Sequence, residues 1–166
     1  MAQGETISRS FKVNVQKGTG TTVYFQDDME SGGSKWKTSH GLGLSDWKLS
    51  TKNPYSGTTS WFAVDPDAFS DQYLMTATPV TVGENALLRF WHSFATEAGF
   101  DGGVVEISTN SGLTWANLGD KMVQNGYNSN IPLENASTIN GPAFTGNSNG
   151  YMQTVVDLSS FKDKKV

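Results

Sequence analysis

Apolar and polar residues alternate with a period of two in several short stretches of this chain, which is the pattern of half-buried β-strands. Residues 7–15 show the alternation most clearly, and residues 87–94 form the most apolar stretch. The second of these predicts a central strand covered on both faces. Further strands are predicted at residues 23–25, 47–50, 60–64, 72–77 and 151–157, with an edge segment at 79–82.

Residues 100–118 predict a β-hairpin. The segment 104–109 is rich in β-branched residues, and the turn-forming triplet 110–112 precedes a return segment that carries Trp115. Large aromatic side chains bury much apolar surface, so we expect several of them in the core. The tryptophans predicted to lie there are Trp61, Trp91 and Trp115.

Turn-forming residues separate these segments, and no convincing amphipathic helix occurs. Residues 119–150 are dense in Gly, Asn, Ser and Pro, which predicts a long loop. A polar connector at 16–22 divides the chain into residues 1–22 and a main domain at 23–166. The first strand then belongs either to a preceding domain or to the edge of the same sheet. The pattern predicts an all-β fold, a jelly-roll β-sandwich of two antiparallel sheets.

Composition narrows the classes of function. Charged residues are 17% of the chain and the net charge is −4, which argues against nucleic-acid binding because that needs a basic face. The absence of cysteine excludes disulfides, thiol catalysis and cysteine-based zinc sites. No apolar run approaches the roughly 18 residues of a membrane-spanning helix. The first residues lack an apolar signal core, so we expect any export signal to lie upstream in a longer precursor.

Catalytic constellations are not found in the sequence. The two histidines, His40 and His92, do not have the spacing of a zinc-peptidase motif, and His92 is predicted to be a hydrogen-bonded core residue. No nucleophile elbow surrounds any serine. The carboxylates of Glu97, Asp101 and Glu106 invite a glycosidase interpretation, but their spacing along the chain does not establish the required separation. We therefore expect a non-catalytic domain.

Two acidic loops favour a calcium-binding site, because hard cations such as calcium take several oxygen ligands from carboxylates and backbone carbonyls. One loop spans residues 27–33 and the other spans 65–71. The alternative is that these are solvated turns in which Asp28 and Asp65 cap backbone groups. The candidate ligands are Asp28, Glu30, Asp65 and Asp67, with Asp101 at the entrance of the hairpin.

Aromatic residues outside the predicted core offer a second kind of site, since the faces of sugar rings stack on Trp and Tyr. The candidates chosen for such a role are Trp36 and Tyr127, and the alternative is that both are loop anchors. Trp47, Tyr55 and Tyr151 are also available.

Several strings of residues resemble, in order, the non-catalytic jelly-roll domain of secreted bacterial metallopeptidases. The similar domains are the MAM-like or galactose-binding-like sandwiches of the fungalysin and immune-inhibitor-A types, and the resemblance covers about residues 23–166. The most specific string is DGGVVEIS, followed by Thr114-Trp115. The other strings are residues 53–62, Phe90-Trp-His92, Thr96-Glu97, 143–151 and 156–159.

The resemblance implies a structural calcium between a Glu after the first strand and the turn at 55–58, which gives Glu30, Asp28 and the carbonyl of Thr58 as ligands. It also implies further strands after the turn at 158–161, so we expect the domain to lack the family's last strands. The implied role is an extracellular bacterial accessory domain that positions or stabilises the catalytic domain of the same precursor, or aids substrate attachment, without membrane insertion. The alternative is a carbohydrate- or matrix-binding module whose partner is a polysaccharide or an extracellular matrix protein.

Overall fold

The computed structural model describes residues 13–17, 22–133 and 138–166, and in these ranges the regular structure is β-strand with two short 3₁₀ turns. The predicted all-β fold is confirmed. The strands are β1 Val13–Lys17, β2 Val23–Asp27, β3 Trp36–Leu42, β4 Lys48–Ser50, β5 Ser60–Phe62, β6 Asp71–Thr76, β7 Ala86–His92, β8 Gly102–Gly103, β9 Glu106–Ile107, β10 Ala116–Asn117, β11 Met122–Gln124, β12 Ser129–Ile131, β13 Gly141–Thr145 and β14 Met152–Asp157. The 3₁₀ turns are Gly119–Lys121 and Ser159–Phe161.

A five-stranded antiparallel sheet, in the order β11-β14-β7-β1-β2, organises the fold. The strand β7 lies at its centre, as its apolar sequence predicts. Because side chains alternate across a strand, Phe90 and His92 point to one face and are buried, while Trp91 points to the other face and is half-buried. We call these the inner and the outer face of the sheet.

The strand β1 is paired on both sides. It pairs with β2 through Val15 and Phe25 and with β7 through Val15 and Leu88. In this sheet β1 is therefore an interior strand rather than the edge strand that was one of the two expectations. The rest of the predicted strand at 7–15, together with most of the connector at 16–22, lies outside the described residues.

Four smaller antiparallel sheets complete the fold: β12-β13-β8, β3-β6, β4-β5 and β9-β10. Side chains of β13, β3 and β9 pack against the inner face. The ring of Phe144 from β13 lies 4.4 Å from that of His92, and Trp36 from β3 meets Phe25 edge-on at 5.5 Å. This layering is consistent with a β-sandwich. The core cluster contains Val15, Val82, Ala86, Phe90, Ile107, Leu118, Phe144, Val156 and Leu158.

Two expectations from the sequence are wrong. The predicted loop at 119–150 contains β11, β12 and β13, because Ala143, Phe144 and Thr145 bury their side chains despite the surrounding turn formers. Trp115 is 45% exposed instead of lying in the core. Residues 109–117 are all exposed, and only two residue pairs join β9 to β10, so the tip of this hairpin lies at the surface together with Trp115.

The other two tryptophans differ from each other. Trp61 is buried in β5, as predicted, with 6% of its surface exposed. Trp91 is half-buried on the outer face. The last residues of the chain also pair: the backbone of Val166 exchanges hydrogen bonds of 2.8 and 2.9 Å with Val80. Within the described ranges, no helix has the length and hydropathy to cross a membrane.

Candidate functional site

The carboxylate of Glu30 joins the acidic loop at 27–33 to the turn at 55–58 that the resemblance implies. Oε1 accepts hydrogen bonds from the backbone N–H groups of Thr58 and Thr59, both at 2.9 Å. Oε2 accepts the hydroxyl of Thr58 at 2.6 Å. Glu30 follows β2, and Thr58 and Thr59 precede β5. This one side chain therefore connects the end of β2 to the beginning of β5. We call this arrangement the Glu30 cradle.

The cradle favours the ionised form of Glu30. The hydroxyl of Thr58, followed by the backbone N–H groups of Thr58 and Thr59, lowers the pKa of the Glu30 carboxyl below its ordinary value. Glu30 is exposed, so this negative charge faces solvent. A carboxylate has about four lone-pair directions, and the cradle uses three of them.

Gly57 closes the cradle and allows no side chain. Its φ is +67°, and a Cβ atom there would lie 2.6 Å from Oε1 of Glu30. We expect Gly57→Ala to destabilise the protein by about 2 kcal/mol, since it combines the left-handed penalty with this contact. The measurement is chemical denaturation. Gly32→Ala is the matched control, because Gly32 has a φ of +80° with open space around its Cβ position. An equal loss in the two variants would contradict a role for the close contact.

Asp27, directly before the candidate ligands, has a structural role that the sequence did not reveal. It is 1% exposed, and its Oδ2 accepts the indole N–H of Trp36 at 2.6 Å. Its Oδ1 accepts the backbone N–H of Met29 at 3.2 Å and lies 3.6 Å from Nζ of Lys35. Asp28 is exposed and caps the backbone N–H of Glu30 at 3.2 Å. The side chain of Asp27 therefore points into the protein interior, and that of Asp28 points to solvent.

The second acidic loop lies beside the hairpin entrance. Asp65 and Asp67 are exposed, and the carboxylate of Asp101 interacts electrostatically with those of Asp65 and Glu97. Burial first, and then these two negative charges, raise the pKa of Asp101 above its ordinary value. The carboxylates of Asp101 and Asp65 are thus close enough to influence each other. In the described ranges, however, no three acidic or histidine side chains converge closely enough to hold a metal ion.

The two aromatic candidates occupy different settings. Trp36 lies in β3, half-buried, with its ring against Phe25 and its N–H on Asp27. Tyr127 packs edge-on against Phe144 at 4.8 Å, and its hydroxyl accepts the N–H of Val105 at 2.8 Å. Burial raises the pKa of Tyr127. A surface depression of about 620 Å³ lies beside it, lined by Asn117, Gly119, Asp120, Gly126, Tyr127 and Pro142.

A separate group of aromatic rings lies on the outer face of the central sheet. The ring of Tyr55 stacks on that of Trp91, with centroids 4.1 Å apart and planes 12° apart. Tyr151, directly before β14, lies 5.2 Å from Tyr55 at 56° and donates its hydroxyl to the carbonyl of Asn53 at 2.6 Å. No local pattern in the sequence indicates this contact, since the sequence predicts Trp91 in the core and Tyr55 in a turn.

His92 is a buried core residue, as predicted. Only 4% of it is exposed, and its Nε2 lies 2.8 Å from the hydroxyl of Thr154. That hydroxyl donates to the carbonyl of Asn125 at 2.7 Å, so it accepts the hydrogen bond that the N–H at Nε2 of His92 donates. Burial lowers the pKa of His92 to about 4. The imidazole is thus neutral at physiological pH, which suits packing rather than proton transfer.

Comparisons with protein-family models, with curated proteins and with solved structures find no match for this chain. The resemblance to accessory domains of metallopeptidases therefore rests on the sequence strings alone and stays a prediction.

Proposed function

We propose that this chain is a non-catalytic accessory domain of a secreted multidomain metallopeptidase. Its role is to stabilise or position the catalytic domain of the same precursor, or to hold that domain to its substrate. One observation carries the proposal: Glu30 bonds to Thr58 across 28 residues of sequence, which is the pair of loops that the resemblance implies. The all-β fold with antiparallel sheets also supports it.

Calcium is the cofactor of this proposal, and the loop joined by Glu30 is its proposed site. Glu30 retains one lone-pair direction beyond the cradle, and Asp28 binds the backbone only through Oδ1. Calcium takes six to eight oxygen ligands, so backbone carbonyls, that of Thr58 among them, and water would supply the rest. The ion would add a second link between the loops at 27–33 and 54–59. Asp65, Asp67 and Asp101 form a weaker candidate set, because among them only Asp65 is shown to interact with Asp101, and that interaction is repulsive.

The experiment is thermal unfolding of the chain in calcium and in chelator. With calcium in about hundredfold excess over its dissociation constant, we expect the melting temperature to rise by about 5–10 °C, because the ion binds only the folded state. Glu30→Gln should abolish most of this rise, whereas Asp67→Asn should keep it. Identical melting curves in calcium and chelator would exclude a structural calcium.

The accessory role itself has a separate readout. Turnover of casein or of an aryl glycoside by the purified chain, lost on denaturation, would contradict the non-catalytic assignment whatever the result with calcium.

A further inference from the structure

The rings of Tyr55, Trp91 and Tyr151 form an aromatic platform on the outer face of the central sheet. Tyr55 covers Trp91 with one ring face, yet 41% of Tyr55 remains exposed. A ring stacked on one side can present only its other side and its edges to solvent, so the exposed part of the Tyr55 ring consists of its free face and its edges, next to the tilted ring of Tyr151. None of the other exposed aromatic residues stacks on a second aromatic ring among the contacts of the described residues; they are Phe69, Tyr73, Phe100 and Trp115.

The platform is held in place before any ligand arrives. Trp91 lies in the central strand β7, opposite Gln153 of β14. The hydroxyl of Tyr151 bonds to the carbonyl of Asn53, which fixes the loop that carries Tyr55 against the end of the same two strands. A ring that is already ordered loses little conformational freedom on binding, and this lowers the entropic cost of binding a ligand.

Polar side chains surround the platform. Asn53 and Ser56 are exposed in the same loop, and Gln153 is the cross-strand neighbour of Trp91 on the outer face. Within residues 51–58 the only charged side chain is that of Lys52. The ligand that fits a planar apolar face with a rim of amides and hydroxyls is itself apolar on one face and rich in hydroxyls at its edge.

We propose that the platform binds the face of a pyranose ring in a polysaccharide, with the sugar stacked on Tyr55. The axial C–H groups of the pyranose would contact the ring of Tyr55, and its equatorial hydroxyls would reach the amides of Asn53 and Gln153. This inference deepens the proposed accessory role, since it names the class of material to which the domain attaches. It needs neither the Glu30 cradle nor calcium.

The test is affinity electrophoresis of the folded chain in native gels that contain one of four polysaccharides, all in chelator. Hydroxyethyl cellulose and xylan represent neutral pyranose polymers, and polygalacturonate and alginate represent acidic ones. At least one should retard the wild-type chain. Tyr55→Leu, which keeps an apolar cover over Trp91 but removes the flat ring, should weaken that binding by about tenfold or more. Tyr55→Phe should retain it within about twofold, because the stacking face is unchanged.

Phe69→Leu is the matched control. It also removes an exposed ring, 73% exposed and outside the platform, and should leave retardation unchanged. No retardation by any of the four polymers, or equal retardation of wild type and Tyr55→Leu, would overturn the proposal. Tryptophan emission of the wild-type chain provides a readout that needs no Tyr55 variant: it should change on adding the retarding polymer, and Trp91→Phe should remove that change. Persistence of the full change in Trp91→Phe would place the sugar elsewhere.

Discussion

Replacing Asp27 by alanine is expected to lower the free energy of unfolding by about 3 kcal/mol. The substitution removes charge-assisted hydrogen bonds to the indole N–H of Trp36 and to the backbone N–H of Met29, each worth about 1.5–3 kcal/mol. Some of that loss is offset because alanine is cheaper to bury than a carboxylate. The ion pair with Lys35 adds little, since the Lys35 side chain is 45% exposed and solvent screens it. The melting temperature should fall by about 6–12 °C.

Asp28→Ala is the matched control for Asp27→Ala. Asp28 is one residue further along the chain but exposed, and its side chain caps only the N–H of Glu30. Its loss should cost about 1 kcal/mol or less. Asp27→Asn should fall between the two, because an amide oxygen still accepts from Trp36 but carries no charge. If Asp27→Ala and Asp28→Ala unfold at the same denaturant concentration, the buried carboxylate does not hold β2 to β3.

Part of this fold follows from the sequence and part depends on contacts that no local pattern encodes. The strands β7 and β14 follow from the sequence, because their apolar pattern is that of strands in a central sheet, and in the structure these apolar residues are buried or half-buried. The strand β3 has no strand pattern in the sequence, because its residues, WKTSHGL, are mostly polar and exposed. It is a strand because its backbone pairs with β6. Trp115 was misplaced for the opposite reason: its residue type predicts burial, whereas the short pairing of β9 with β10 leaves it at the surface.

The candidate sites divide in the same way. Asp28 and Glu30 stand out in the sequence as an acidic turn, but the hydrogen-bond partners of Glu30 lie far along the chain. The pairing of Glu30 with Thr58 was expected only through a resemblance, since 28 residues separate the two. The stacking of Tyr55 on Trp91 had no local signal at all. It depends on the turn at 53–57 reaching the outer face, where alternation along β7 places Trp91 between the buried residues Phe90 and His92.

Acid should destabilise this protein through His92. Burial holds the pKa of His92 at about 4, below its ordinary value of 6.5, so the unfolded chain binds this proton more readily than the folded chain between those two pH values. The stabilisation is fully present above pH 6.5 and is lost as the pH falls towards 4. The full loss amounts to about 3 kcal/mol, of which about 1.5 kcal/mol should appear between pH 6.5 and about pH 5, before most carboxylates titrate.

The variant that isolates this effect is His92→Gln, since an amide can donate to the hydroxyl of Thr154 but does not titrate. Its unfolding free energy, measured by denaturant titration at a series of pH values, should be nearly flat from pH 6.5 down to about pH 5. His40→Gln is the control variant for loss of a histidine, because His40 lies at an exposed position and contacts Asp46 at 3.0 Å. A wild-type slope in His92→Gln would mean that another group carries the acid sensitivity. The neutral imidazole packs against Phe90 and Phe144 in the core, so its protonation places a charge among apolar rings on the inner face of the central sheet.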